Sequence, residues 1–140
     1  MELNTDRLRS KVNDISRSLT RLREFQAMSK AEFLADEDAQ DIARSRLLTG
    51  IEAALNICYH LAAKRLRTVP EDYGQCFTLL GDAGLISHEL AHHLAMMARF
   101  RNRLVHLYWS IDYGQVYEII ANSLDDLESF AAQTTRLITD

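Results

Sequence analysis

Ten consecutive residues, Arg99-Phe100-Arg101-Asn102-Arg103-Leu104-Val105-His106-Leu107-Tyr108, hold three arginines, a histidine and a tyrosine. Arginine is a permanent cation whose forked donors fit phosphate oxygens. Histidine both takes and gives a proton near neutral pH. A site that cleaves a phosphodiester without a metal needs those two components, one to hold the negative charge and one to move the proton. His106 is the candidate base, and Arg99, Arg101 and Arg103 are the candidate cations.

These residues fall on a helix expected to begin near Ser87. At about 100° per residue it has two unlike faces. Leu90, Leu94, Met97, Leu104 and Val105 form an apolar stripe, and His88, His92, Ala95, Arg99, Arg103 and His106 lie opposite. Arg101 and Tyr108 break the pattern by falling on the apolar stripe. A guanidinium there is costly unless its donors are satisfied. Either it pairs with an acid on a neighbouring helix, or the stripe faces a cleft or a partner subunit where Arg101 meets an anion. Arg101 and His106 point about 140° apart on a regular helix. For them to share a site, the helix must loosen before Trp109-Ser110 or a second subunit must complete the cleft. Arg99 and Arg103 lie on the His106 side and are alternatives to Arg101.

The elements that position this segment are helical nearly throughout. Leu8, Val12, Ile15, Leu19 and Leu22 alternate spacings of four and three, an apolar seam over two heptads. Ser29 with Glu32 predicts a capping box. The next helix runs through Leu47, Ile51, Ala54, Leu55, Cys58 and Leu61, with a break expected near the acidic block Glu32, Asp36, Glu37, Asp38 and Asp41. Pro70 is expected to end that region. A short helix over Tyr73 to Leu80 follows, closed by Gly81-Asp82-Ala83-Gly84. Asp112 with Gln115 predicts the cap of a last helix that buries Val116, Ile120, Leu124, Leu127 and Phe130. The sum is an all-α, up-and-down bundle of four to five helices, in a single domain over residues 1–140.

Bulk properties narrow the class. One proline and five glycines in 140 residues leave few turns for an all-β fold. No apolar run approaches the roughly 18 residues that span a bilayer, and the N-terminus lacks the order of a secretion signal. A soluble, cytoplasmic protein is expected, with no membrane partner. Net charge −4 argues against coating nucleic acid by bulk attraction. The basic residues are clustered, however: Arg7, Arg9, Lys11, Arg17, Arg21 and Arg23 on the first helix, then Lys64, Arg65 and Arg67. These are solvated helix faces or local grips on nucleic acid.

Arg101-Asn102-x-x-Val105-His106-x-Tyr108 resembles the R-x4-6-H motif of HEPN-domain ribonucleases, and more narrowly the RN-x-x-x-H-x-Y signature of HepT toxins. Ala53-Ala54-Leu55-Asn56-Ile57, Pro70-Glu71-Asp72-Tyr73, Phe77 and Leu80 before Gly84, and Ile111-Asp112 leading into Val116-Tyr117-Glu118-Ile119-Ile120 fit the family's layout in order. The resemblance implies a HEPN-like homodimer with both motifs facing a shared cleft. It implies metal-independent cleavage of RNA, with tRNA among the candidate targets, and no cofactor. Arg101 and His106 would be the catalytic pair, supported by Asn102, Arg99 and Arg103. Tyr108 would be the residue to which an MNT-type (MntA-like) nucleotidyltransferase antitoxin attaches AMP, as in a type VII toxin–antitoxin system. The side chains suit that chemistry. His106 would take the proton from a ribose 2′-hydroxyl while Arg101 binds the phosphoryl oxygens, leaving a 2′,3′-cyclic phosphate. The alternative is a non-catalytic helical adaptor that binds a nucleotidyltransferase or a nucleotide through the same surface.

Two other motifs compete. His88-Glu89-Leu90-Ala91-His92 spells H-E-x-x-H, the helix motif of zinc proteases. Its longer form fails at Ala95 and Ala98, and no sheet is expected to hold a peptide, so His88, Glu89, His92 and His93 read as exposed helix residues and no metal is assigned. Cys58-Tyr59-His60 places a thiol near a histidine, but neighbouring helix residues diverge, and Cys58 reads as core. Cys58 and Cys76 match no metal or redox spacing and read as reduced thiols.

Overall fold

Six of the described α-helices begin where a short polar side chain takes up an otherwise unpaired backbone N–H. Asn4 accepts from the Arg7 N–H and opens α1 (Thr5–Glu24). A 3-10 turn (Phe25–Ala27) follows, and the Ser29/Glu32 capping box then starts α2 (Lys30–Leu34). Asp36 caps α3 (Glu37–Arg65), so the expected break at the acidic block is real. Asp72 caps α4 (Tyr73–Asp82), Ser87 caps α5 (His88–His106), and Asp112 caps α6 (Tyr113–Asn122), which precedes α7 (Leu124–Thr139). The structure is a computed structural model that describes residues 2–106 and 108–139, the side chain of Tyr108 excepted. Among the described residues there is no strand, and no helix is long and apolar enough to cross a membrane.

The 29-residue α3 is the centre of the bundle. It buries residues around most of its circumference, including Leu47, Ile51, Leu55, Ile57 and Leu61, as a helix surrounded by others must. It runs antiparallel to α1, as the contacts Asn4–His60, Arg7–Asn56 and Ser18–Gly50 show. It also runs antiparallel to α5, where Arg44 reaches Leu104 and Glu52 reaches Arg101. Four of the five α1 seam residues are buried and Val12 is partly so. Phe77 of α4 meets Phe130 of α7 edge-on, with ring centroids 5.5 Å apart. Gly81 lets α4 lie directly on α5, because a Cβ there would stand 2.7 Å from the Ala91 Cβ.

Four expectations are corrected. The expected last helix is two, broken at Ser123 (φ −122°, ψ 0°), although all five of its predicted core residues are buried. Among the described residues there are seven α-helices rather than the four or five expected. α3 ends at Arg65, with Arg67 in a left-handed conformation (φ 50°), before Pro70 can act. Ala95, assigned to the polar side of α5, is buried because α4 packs there. Cys58 and Cys76 are buried free thiols, as expected, and burial pushes the Cys58 thiol far above its ordinary range.

Candidate active site

Arg101 lies on the side of α5 that faces α3 and the start of α4, and its side chain is only 17% exposed. Its Nη2 donates to Glu52 Oε1 at 3.2 Å and its Nη1 to Asn102 Oδ1 at 3.2 Å. Its guanidinium carbon sits 5.1 Å from the centroid of the Tyr73 ring, a cation–π contact. Its Nε is buried and has no hydrogen-bond partner among the described residues. Arg101 pairs with an acid on the neighbouring helix, one of the two expected outcomes, and it also borders a recess. That recess, about 330 Å³, is lined by Glu52, Leu55, Asn56, Tyr59, Tyr73 and Arg101.

His106 is the last residue of α5 and is exposed. α5 stays helical up to it, so the loosening that would turn it towards Arg101 does not occur before His106. Within one chain the two side chains therefore leave the helix about 140° apart. The turn that carries His106 is held from α3, because Arg44 Nη2 donates to the Leu104 carbonyl at 3.0 Å. A carbonyl in the last turn lacks a partner within its helix, and a guanidinium also suits the negative end of the helix dipole.

The supporting residues divide. Asn102 is exposed and accepts from Arg101, which fits a positioning role. Arg99 and Arg103 are exposed on the His106 side; a Cβ on Gly74 would meet Arg99 Nη2 at 3.4 Å, and Arg103 Nη1 donates to Gln115 Oε1 at 3.2 Å. Both line a second groove of about 750 Å³ between α5 and the α6–α7 pair, with Met96, Phe100 and Ile119 among its walls. Tyr108 opens a 3-10 turn (Tyr108–Ser110), but its side chain lies outside the described residues, as does Leu107.

Glu52, Tyr73 and Arg44 were not singled out as site residues in the sequence. One signal was present: Glu52, Asn56 and Tyr59 recur at i, i+4 and i+7, a polar strip on the largely buried stretch 50–62 of α3. His88, Glu89, His92 and His93 are exposed; His88 stands 3.4 Å from Asp82 and His93 3.3 Å from Asp126. No group of three metal-ligating side chains comes together among the described residues. His60 accepts the Asn4 N–H at 3.0 Å and is held below its ordinary pKa, first by burial and then by Arg7 and Lys64. Much of the basic charge on α1 is spent on structure: Arg23 pairs with Asp125 and Glu128 of α7, and Arg21 with Glu24.

The fold is an all-α, HEPN-like helical bundle, with Arg101 largely buried and His106 exposed at the end of one helix. Residues 15–134 match the family described as Ribonuclease HepT-like, and the chain belongs to that family. It is 27% identical over 121 residues to "mRNA nuclease HepT" of Shewanella oneidensis, covering 86% of this chain and 90% of the relative. It is 30% identical over 119 residues to "tRNA nuclease HepT" of Aphanizomenon flos-aquae, covering 85% and 81%. The tri-AMPylated Shewanella oneidensis HEPN toxin, solved in complex with MNT antitoxin, superimposes with a TM-score of 0.84 at 26% identity, covering 97% of this chain and 99% of that one.

Proposed function

We propose that this chain is an endoribonuclease toxin of the HepT/MntA kind, acting in the cytoplasm as a single HEPN-like unit over residues 1–140. The observation that carries the reading is the state of the two motif side chains. Arg101 is immobilised by Glu52, Asn102 and the Tyr73 ring, while His106 stands exposed at the end of the same helix. A cation held before substrate arrives loses little freedom when the phosphate docks. An exposed imidazole is free to meet a ribose hydroxyl.

The divergence of the two side chains supports a composite site in a homodimer. In a two-fold pair, Arg101 of one chain and His106 of the other face the same strand. His106 takes the 2′-hydroxyl proton, the 2′-oxygen attacks phosphorus, and the 5′-oxygen of the next nucleotide leaves. Arg101 binds the charge that builds on the phosphoryl oxygens. No step requires a metal. Single-stranded loops, in tRNA or mRNA, expose the sugar and phosphate in the way this needs.

Tyr108 is the modification site in this reading. Its phenolic oxygen attacks the α-phosphorus of ATP on an MNT-type antitoxin, and pyrophosphate leaves. The bound AMP places an anion two residues from His106, where it repels RNA and competes for the arginines.

Cleavage of single-stranded RNA should persist in EDTA and yield 2′,3′-cyclic phosphate ends. His106→Ala should lower kcat by about 10²- to 10⁴-fold, the usual worth of a general base. Co-expressing Arg101→Ala with His106→Ala chains tests the composite site. Random pairing puts one intact site in half of the dimers, so about a quarter of wild-type activity should return. A mixture as inactive as its parents would place both groups in one chain. Loss of cleavage in EDTA, or full activity in His106→Ala, would refute the mechanism.

A further inference from the structure

The recess beside Arg101 is more elaborate than the task of holding a guanidinium requires. Glu52 is the α3 residue that pairs with Arg101, yet Asn56 and Tyr59 continue the same polar strip by one and two turns. Tyr59 and Tyr73 stand at 90° with ring centroids 6.0 Å apart, forming two walls of a corner. The guanidinium of Arg101 lies over the Tyr73 ring and makes a third flat surface. Arg7 of α1 donates to Asn56 Oδ1 at 3.2 Å, so a second cation is bonded to the lining. The Asn56 side chain is fixed from the other end as well, because its Nδ2 donates to the Glu52 carbonyl at 3.0 Å.

We propose that this recess receives one unpaired base of the RNA substrate, the base adjoining the phosphate that Arg101 holds. The inference rests on the nuclease reading above and deepens it by assigning the residues that choose where the strand is cut. Three features of the recess match a base. Its volume, about 330 Å³, lies at the small end of ligand pockets and suits one flat ring system. Aromatic faces and an arginine plane are the surfaces on which unstacked RNA bases rest. Finally, a carboxylate and a carboxamide one turn apart present hydrogen-bonding groups to the edge of a ring in the corner.

The chemistry of that edge predicts a preference. Glu52 is acceptor-only when ionised, so it favours a base that offers an amino group. Adenine, cytosine and guanine carry one, whereas the ring N3–H of uracil lies between two carbonyl oxygens that repel the carboxylate. A site that offers a free carboxylate oxygen discriminates against a base whose facing edge is mostly acceptors. Arg101 and Arg7, which bonds the lining residue Asn56, would take the phosphates flanking the bound nucleotide.

The test uses the intact protein and four short single-stranded RNAs that differ only at the nucleotide next to the cleaved bond. Wild type should favour the three amino-bearing bases over uracil by about tenfold or more in kcat/KM. Asn56→Ala should flatten that preference at least threefold. Tyr59→Leu, which keeps an apolar side chain on the helix, should raise KM about tenfold with kcat changed less than twofold. Cleavage with the same base profile in wild type and both variants would overturn the base recess and leave the nuclease standing. A second readout does not depend on cleavage: quenching of tyrosine fluorescence by GMP and UMP. GMP should bind wild type more tightly than UMP, and Tyr59→Leu should abolish the difference. Equal binding of the two nucleotides by wild type, in protein that melts normally, would overturn the inference even if no RNA were cut.

Discussion

The contact most open to measurement is Arg101 with Glu52. Replacing Glu52 by Gln keeps the shape and an acceptor oxygen but removes the charge. The Arg101 side chain is 17% exposed and that of Glu52 44%, so the pair lies between two regimes. Exposed ion pairs contribute about 0–1 kcal/mol, whereas removing one partner of a buried pair costs about 3–5 kcal/mol. Partial exposure and the retained hydrogen bond place Glu52→Gln at about 1–2 kcal/mol. With an unfolding entropy of about 2.1 cal/mol/K per residue over 140 residues, each kcal/mol lowers Tm by about 3 °C. The expected loss is therefore about 3–7 °C by circular dichroism. A double-mutant cycle isolates the pair. In an Arg101→Met background, Glu52→Gln should cost almost nothing, giving a coupling of about 1–2 kcal/mol in urea melts. In the nuclease reading, kcat on RNA should fall about tenfold in Glu52→Gln, because the guanidinium is no longer fixed before the phosphate arrives. A coupling below about 0.3 kcal/mol, within ordinary additivity error, would show that Glu52 does not hold Arg101.

Other substitutions separate close approach from spare room. Gly81→Ala should destabilise by about 1–2 kcal/mol despite the better helix propensity of alanine, since its Cβ would stand 2.7 Å from Ala91 Cβ and force α4 off α5. Gly50→Ala meets only ordinary contacts at 3.5 Å or more, so it should be neutral or stabilise by up to about 1 kcal/mol in the same melts. His60 gives a pH dependence whose sign is fixed by its neutral acceptor role. Its folded pKa lies below the ordinary 6.5, so the unfolded chain binds the proton more readily. The contribution of His60 is fully present above pH 6.5 and is lost as pH falls through the folded value. The urea midpoint should therefore fall between pH 7 and pH 5, and His60→Gln should reduce that slope; an unchanged slope would remove His60 as its source.

What could be read in the sequence depended on how far apart the interacting groups lie along the chain. The caps at Ser29 and Asp112 were legible because donor and acceptor are three residues apart. The apolar seam of α1 was legible because burial of one helix face leaves a 3.6-residue period. The same rule explains two misreadings. Val116, Ile120, Leu124, Leu127 and Phe130 keep helical spacing straight through Ser123, so periodicity alone could not reveal the break there. Ala95 carries no polarity signal of its own, and the arrival of α4 buries it.

The sequence by itself determined the all-α class, most helix starts and the motif Arg101-Asn102-x3-His106 on one helix, since all of these follow from groups within a few residues of each other. Only the tertiary structure decided what surrounds the motif. Glu52 lies 49 positions from Arg101 and Arg44 lies 60 from Leu104, and no local pattern encodes which helix faces which. The orientation of Arg101, the recess beside it and the outward position of His106 arise from the packing of α3, α4 and α5. That packing is set by the sum of many apolar contacts along the bundle, not by any short run of residues.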